Sequence, residues 1–510
     1  MLLEVPVVVF FNFFLRSLFL LCKNTDDYVH YWNIFQRRSL QSLTKHEITN
    51  SAIEGVRGYP VLHHYLVSLF PKKYWVYAGK LFNITYDLFT ILNIYFLTNL
   101  YFGNKRISDL TYGFFAALIM GTSPILFPVT ARLQAMGGRT LGLFFASLFC
   151  VFLGYYYAIA PNFFLIVPLV IIGTLILMSS QFALQFIVFY CLFLAILFVD
   201  IFPISILTTI AIIILLFPKS GLRQIIDFKI AHMKWYLNNK KGTFAENRNR
   251  LADILNLVNF FKNDFEQFVK TIFYFNSYLS AIINIPFFFI LFFFAVFGDF
   301  HKESTDYFIL NSFIAFTLML LITSHKPLVI MGQSERYLEY ATPFVGFYSI
   351  YLVDKNVFSI QWIFLFIFIN ITFVIVNLLV INRNTIALNL KIIPDSLYYD
   401  LIAHLKKINY DGLLTVPVKF SFRISIDIPE RKYYYRSVNQ KGNGFEYFAQ
   451  DMREVEVPKD NLLSFHEKYG IDTFVFQGKY WIHWFPDSRK YLNLIYENEN
   501  YCVYQLKEEL

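Results

Sequence analysis

Phe10-Phe-Asn-Phe-Phe-Leu-Arg16-Ser-Leu-Phe-Leu-Leu-Cys22-Lys-Asn-Thr-Asp26-Asp27-Tyr-Val-His30-Tyr-Trp32 passes from hydrocarbon to water within a few residues. The apolar part, 3–22, has the length of a membrane-spanning helix. The polar part continues through Glu54-Gly-Val-Arg57-Gly-Tyr59-Pro60 to His63-His64. Ionisable groups at the end of an apolar helix are costly to desolvate, so a cluster of them calls for a physical reason.

Outward from this stretch the chain is mostly oil. Of 510 residues, 56% are hydrophobic and 16% charged, and 61 are Phe. The mean hydropathy is +0.48. An average soluble domain carries roughly 25% charged residues. The pattern excludes an ordinary soluble protein and predicts a polytopic helical one. Spans of suitable length fall near 3–22, 76–101, 109–127, 140–158, 162–179, 182–199, 203–217, 272–297, 307–323, 338–353 and 358–381, about eleven in all. The start carries Glu4 and no basic residue, and no small-residue cleavage site follows, so 3–22 reads as a retained span. Ser179-Ser180-Gln181 between two runs implies a tight hairpin. The cysteines, Cys22, Cys150, Cys191 and Cys502, lie too far apart for a disulfide framework or a zinc pattern. The net charge of +8 suits loops facing anionic headgroups or an anionic substrate.

Residues 1–385 therefore read as a transmembrane region and 386–510 as a soluble α/β domain. Within 218–271, Ile225–Leu237 and Leu251–Phe268 repeat apolar residues at three-to-four spacing, which predicts interfacial amphipathic helices. In the last segment, Leu397–Ile408 predicts a capped helix, Gly412–Val418 a strand, and Asn461–Tyr469 a helix stopped by Gly470. Ile471–Phe476, Tyr491–Tyr496 and Tyr501–Leu506 read as strands. With Met1 inside, the loops 23–75, 218–271 and 324–337 fall on one side with the C-terminal domain. That side is the more basic one, against a positive-inside bias that counts mainly short loops.

Four constellations carry candidate chemistry. Asp26 and His30 share a face if the first helix continues, and a carboxylate there suits a general base or, with His30, a divalent metal such as Mg or Mn. The ordinary alternative is a helix end with an aromatic interface belt of Tyr28, Tyr31 and Trp32. Around Tyr59-Pro60, His63 and His64 point about 100° apart on a helix, which disfavours one shared metal. His64 suits a phosphate or a sugar, or is a plain interfacial histidine. Arg132 and Arg139 flank Gly137-Gly138, which lacks the Gly-Lys-Ser/Thr of a nucleotide loop. They suit a phosphate or pyrophosphate, or snorkel to lipid. Finally, Ser334-Glu335-Arg336-Tyr337-Leu-Glu339-Tyr340 places ionisable groups at the entrance of a span, which favours use over decoration.

Taken in order, Asp26-x-x-x-His30, Tyr59-Pro60 with His64, Arg139-x-x-Gly142 and Glu335-Arg336-Tyr337-Leu338 resemble the GT-C superfamily of polytopic membrane glycosyltransferases, in the bacterial type that uses polyprenyl-phosphate sugars. The ending Tyr-Glu-Asn-Glu-Asn-Tyr-Cys-Val-Tyr resembles the terminal strand pair of domains appended to such enzymes. The resemblance covers most of the chain. It implies transfer of a sugar from a polyprenyl-phosphate or pyrophosphate carrier to a glycan, lipid or protein acceptor, at the extracytoplasmic face of a bacterial inner membrane, by inverting displacement. It implies Asp26 as base with Asp27 as fallback. Arg139, Arg336, Arg132 and His64 would meet the donor's phosphate. His30, Tyr59, Glu54, Glu335 and Tyr337 would line the substrate. No nucleic-acid partner is expected. The Asp-x-Asp pair and Trp-Trp-Asp triplet of oligosaccharyltransferases are missing from the sequence, which argues against asparagine glycosylation and leaves a metal in question. Protein mannosyltransferases open with Asp-Glu rather than Asp-Asp. Two other classes compete. A polysaccharide polymerase or ligase would need a large late loop rich in Arg and His, and a lipid-linked-substrate transporter would need paired inverted repeats.

Overall fold

The computed structural model describes residues 3–20, 27–52, 55–127, 136–238, 249, 251–298, 303–325, 328, 331, 333–389, 395–416, 420–435, 438–440, 444–446, 462–478 and 489–507. The chain forms two compact units: 1–24 with 76–218 and 244–385, and 25–75 with 219–243 and 386–510. The second unit thus takes in two polar loops that the sequence reading attaches to the membrane part.

The first unit is helical, because in lipid only a helix or a closed barrel satisfies every backbone group internally. Five described helices are long and apolar enough to cross a membrane: Lys72–Tyr101, Arg139–Ala158, Gln181–Phe198, Ser304–Ser324 and Ile360–Leu379. The expected span at 272–297 is a broken pair, Ser277–Asn284 and Pro286–Phe297, bent by 89°. Pro286 opens the second half, where its missing N–H breaks no ladder. Other expected spans are shorter helices: Glu4–Leu20, Tyr112–Thr122, Ile166–Ser179, Phe202–Leu216 and Thr342–Asp354. Among the described residues the expected count of about eleven is therefore not confirmed. Hydropathy measures how apolar a run is but not where its helix starts and stops. The protein is an integral membrane protein of mainly helical class with a small C-terminal sheet domain.

Aromatic stacking fills this unit, with Phe287 on Phe366 at 3.7 Å and Phe186 on Tyr340 at 4.2 Å between ring centres. Such pairs add about 0.5–1.5 kcal/mol each beyond area burial. The few charges inside are matched. Arg16 is fully buried and its Nε donates to Asp87 Oδ2 at 3.0 Å. It also donates to Asn12 Oδ1 and to the Gly121 carbonyl. Glu4 accepts from Tyr95 Oη and Thr111 Oγ1. Gly142 lies so close to the next helix that a Cβ there would stand 2.4 Å from Ser180 Cβ. The glycine of the Arg139-x-x-Gly142 run is thus required by packing.

The second unit is built on a five-stranded mixed sheet. Its strands are β1 (Gly412–Val416), β2 (Lys432–Tyr433), β3 (Thr473–Gln477), β4 (Leu492–Glu497) and β5 (Tyr501–Leu506). Their order is β2-β1-β3-β5-β4. β1 runs parallel to β2 and β3, and β5 runs antiparallel to β3 and β4. Helices Asp395–Lys407 and Leu462–Tyr469 agree with the sequence reading. Gly470 takes the left-handed φ of +65° that stops the second of them. Helix Ser421–Asp427 and strand β2 carry no clear sequence signal. Residues 50–52 extend the β2 edge: Tyr433 N donates to Asn50 O and Ala52 N to Tyr433 O. Helix Leu222–Asn238 packs on Gly58, where a Cβ would meet Gln224 O at 2.0 Å.

Candidate functional site

Two clusters hold the described candidates, one in each unit. In the first unit, Arg139 opens helix Arg139–Ala158. A cation at a helix N-terminus faces the unfavourable end of the dipole. A carboxylate offsets this: Arg139 Nε donates to Glu339 Oε2 at 3.1 Å and its Nη2 to Glu339 Oε1, a two-point fork. Glu339 is buried in the 3-10 helix Ser334–Ala341. That helix has three residues per turn, so Arg336 and Glu339 eclipse on one face while Tyr337 and Tyr340 take the next. The Arg336 guanidinium stands 5.1 Å from the Phe182 ring centre, and that of Arg139 stands 5.8 Å from the same centre. Two arginines 197 residues apart in the chain, 139 and 336, thus share one ring. Glu335, next to Arg336 in sequence, is buried. Tyr337 is fully buried, and its Oη donates to Gln185 Oε1 at 3.1 Å or to Met331 O at 3.3 Å.

The sequence reading named Arg139, Arg336, Glu335 and Tyr337 but passed over Glu339, Phe182 and Gln185. Glu339 was visible in the quoted run, and a three-residue period from Arg336 would have singled it out. Phe182 is one of 61 phenylalanines, with nothing local to mark it.

In the second unit, helix Asp27–Leu40 carries His30, and helix Leu62–Ser68 carries His63 and His64. His64 Nδ1 lies 3.2 Å from Pro60 O, and its Nε2 lies 3.0 Å from His30 Nδ1. A carbonyl only accepts, so His64 Nδ1 carries the proton. Its Nε2 then accepts from His30 Nδ1–H, which leaves His30 Nε2 with the lone pair. Both nitrogens of His64 are used inside the protein, and what they do is orient His30. Burial, then the neighbouring His30 and His63, hold the His64 imidazole well below its usual range, so it stays neutral. Tyr59 sets its ring edge-on to His30 and His64 at 6.1 and 5.6 Å. His63 is buried, with its ring at 83° to that of His64. Arg57 lies over three aromatic faces, Trp32, Tyr59 and Phe422, at 5.2, 5.9 and 5.0 Å. Asp26, Glu54 and Arg132 lie outside the described residues. Asp27 starts its helix. Among the described residues no group of three His, Cys, Asp or Glu side chains is placed to hold a metal ion.

No family model matches the sequence, and no curated protein does. Solved structures do match in shape. The archaeal oligosaccharyltransferase AglB from Archaeoglobus fulgidus, in complex with an inhibitory peptide and a dolichol-phosphate, aligns with a TM-score of 0.51 at 11% identity, over 99% of this chain and 74% of AglB. ArnT from Cupriavidus metallidurans, bound to undecaprenyl phosphate, aligns with a TM-score of 0.50 at 10% identity, over 99% of this chain and 97% of ArnT. Both are GT-C membrane glycosyltransferases. The fold is the GT-C fold. At such identity the likeness is one of backbone course, and side-chain roles rest on the residues themselves. A second AglB structure, in complex with Zn and sulfate, aligns equally at 12% identity, over 99% of this chain and 73% of that one.

Proposed function

We propose that the protein is a glycosyltransferase that moves a sugar from a polyprenyl-phosphate or pyrophosphate carrier to an acceptor hydroxyl at the extracytoplasmic face of a membrane. The observation that carries this reading is the placement of Arg139 and Arg336 on one ring, that of Phe182, in a fold shared with AglB and ArnT.

The reaction is a single inverting displacement. The acceptor oxygen attacks the anomeric carbon and the bond from that carbon to the carrier's phosphate oxygen breaks. The electron pair leaves with the phosphate, and the hydroxyl proton passes to the Asp26 carboxylate, with Asp27 as the fallback base. Developing negative charge on the phosphate is met by the guanidinium forks of Arg139 and Arg336. Glu339 holds Arg139 in place until the phosphate arrives and then shares its donors. His30, oriented by His64, Tyr59 and Glu54 belong to the acceptor side, and Glu335 and Tyr337 hold the helix that presents Arg336.

The test is transfer from a radiolabelled polyprenyl-phosphate sugar by the purified protein in lipid nanodiscs. Asp26→Asn abolishes transfer while leaving carrier binding intact, and Arg336→Ala raises the KM for carrier or lowers turnover. Full transfer by Asp26→Asn removes Asp26 from the chemistry, and unchanged kinetics in Arg336→Ala reduce that arginine to a packing role.

A further inference from the structure

Residues 251–270 of the first unit form a helical run in three pieces, Leu251–Leu255, Leu257–Asn263 and Phe265–Lys270. Backbone bonds carry the ladder across the first break, Asn256 N to Ala252 O and Phe260 N to Asn256 O. At the second, Asp264 leaves helical conformation (φ −144°, ψ 78°), closing one helix and capping the next. On such a ladder Ile254, Leu255, Leu257, Val258 and Phe261 fall on one half of the cylinder, and Asp253, Asn256, Asn259, Phe260 and Asn263 on the other. The apolar half faces outward. Leu255 is 76% exposed, Val258 69%, Phe261 58% and Phe265 44%. Phe261 and Phe265 extend this face as a ring cluster with Phe268.

The base of this segment is fixed. Asn249 N donates to Phe275 O, its Nδ2 donates to Ser324 O, and its Oδ1 accepts from Ser277 N. Ser324 is the last residue of the span Ser304–Ser324, and Ser277 is the first of the broken pair 277–297. The segment is therefore tied to the end of the span Ser304–Ser324. Its return limb is buried at Thr271, Phe273, Asn276 and Ser277. The limb continues into Ser277–Asn284, which packs on the 3-10 helix that carries Arg336.

We infer that 251–263 is an in-plane membrane helix whose Leu255–Val258–Phe261 stripe, continued by the ring of Phe265, is embedded at the boundary between lipid headgroups and acyl chains. The occupant of the stripe is the bilayer itself. A half-apolar helix tied to the end of a span meets that boundary and no other apolar phase. Lys262 sits at the edge of the stripe, where a long stem reaches the headgroups. The helix fixes the membrane surface close to the arginine cluster. The inference stands on the stripe and its anchor and holds whether or not sugar transfer is observed.

The test uses the full chain in nanodiscs of phosphatidylglycerol and phosphatidylethanolamine. Nitroxide labels are placed singly at Val258→Cys, Phe261→Cys, Asn259→Cys and Asn263→Cys, with the unsubstituted chain as the background for native cysteines. Collision with oxygen is compared with collision with a water-soluble nickel chelate. Labels at 258 and 261 favour oxygen, and those at 259 and 263 favour nickel, so the preference changes sign between the faces. Equal, nickel-favouring behaviour at all four sites overturns the inference, because the stripe then lies in water. Protection of 258 and 261 from both reagents also overturns it, because protein then covers the stripe. Leu255→Cys reports on the same face should either labelled variant fail to elute as a single species.

Discussion

The two units bury their polar groups by different physics. In the helical unit two buried arginines meet carboxylates, Arg16 with Asp87 and Arg139 with Glu339, and buried Glu4 is met by the Tyr95 and Thr111 hydroxyls. In the sheet unit the buried groups include neutral imidazoles, as at His64 and His46, and cations met without a carboxylate, Arg57 laid on aromatic faces and Arg37 donating to the Ser42 and Lys45 carbonyls. Hydrocarbon offers no water to share a charge, so the helical unit balances it at contact distance. In the sheet unit a buried imidazole gives up its proton and a guanidinium spreads its charge over rings.

The sharpest way to break this contrast is Asp87→Asn. It leaves Arg16 buried without its counter-charge and costs about 3–5 kcal/mol of stability, read as a fall in the unfolding midpoint in detergent. Arg16→Met with Asp87→Leu restores most of that loss. A loss below about 1 kcal/mol in the single variant shows that lipid or water reaches the pair.

Next in size is acid. His46 is held at about 4 by burial and by the Arg37 charge. Below about 6.5 the unfolded chain takes up a proton that folded His46 refuses, so its contribution is fully present above that pH and fades toward about pH 4. It amounts to at most about 3 kcal/mol. His64 acts in the same direction. Melting profiles between pH 7 and pH 4 check this, and His46→Gln should flatten them; an unchanged slope assigns the acid sensitivity elsewhere.

Arg57→Ala removes a cation from three rings together with its packing and costs about 2 kcal/mol. Arg57→Lys recovers only part, since an ammonium does not stack as a guanidinium does. Equal melting of Arg57→Lys and the unsubstituted protein would show that charge alone matters at that site.

The smallest effect is at the half-exposed Lys105, whose ion pair with Asp354 spans 2.6 Å. Lys105→Ala changes stability by about 0–1 kcal/mol, less in high salt. A larger change would erase the distinction between buried and rim pairs.

Much of the fold was legible because its signals are local. The C-terminal helices and strands, the hairpin stop at Ser180 and the amphipathic run after Leu251 follow from spacing within a dozen residues. The span count was less legible, since a run such as 109–127 has the composition of a span while its described helix, Tyr112–Thr122, covers only part of it. At the candidate site, Arg139 and Arg336 were marked by their position at the mouths of apolar runs. Glu339 and Phe182 were not, because a 3-10 register and a ring among many rings leave no periodic trace. Arg16 and Glu4 looked like interruptions of a span, and their partners Asp87 and Thr111 lie 71 and 107 residues away.

Composition and period by themselves determined that this chain enters a membrane as helices and ends in a small sheet domain, because burial of apolar surface and satisfaction of the backbone act residue by residue. Only the tertiary structure decided which charge faces which. Arg139 takes Glu339 and shares Phe182 with Arg336, and His64 spends both nitrogens on Pro60 and His30. Pairing energy falls off within a few ångströms, and distance in space is a property of the packed fold.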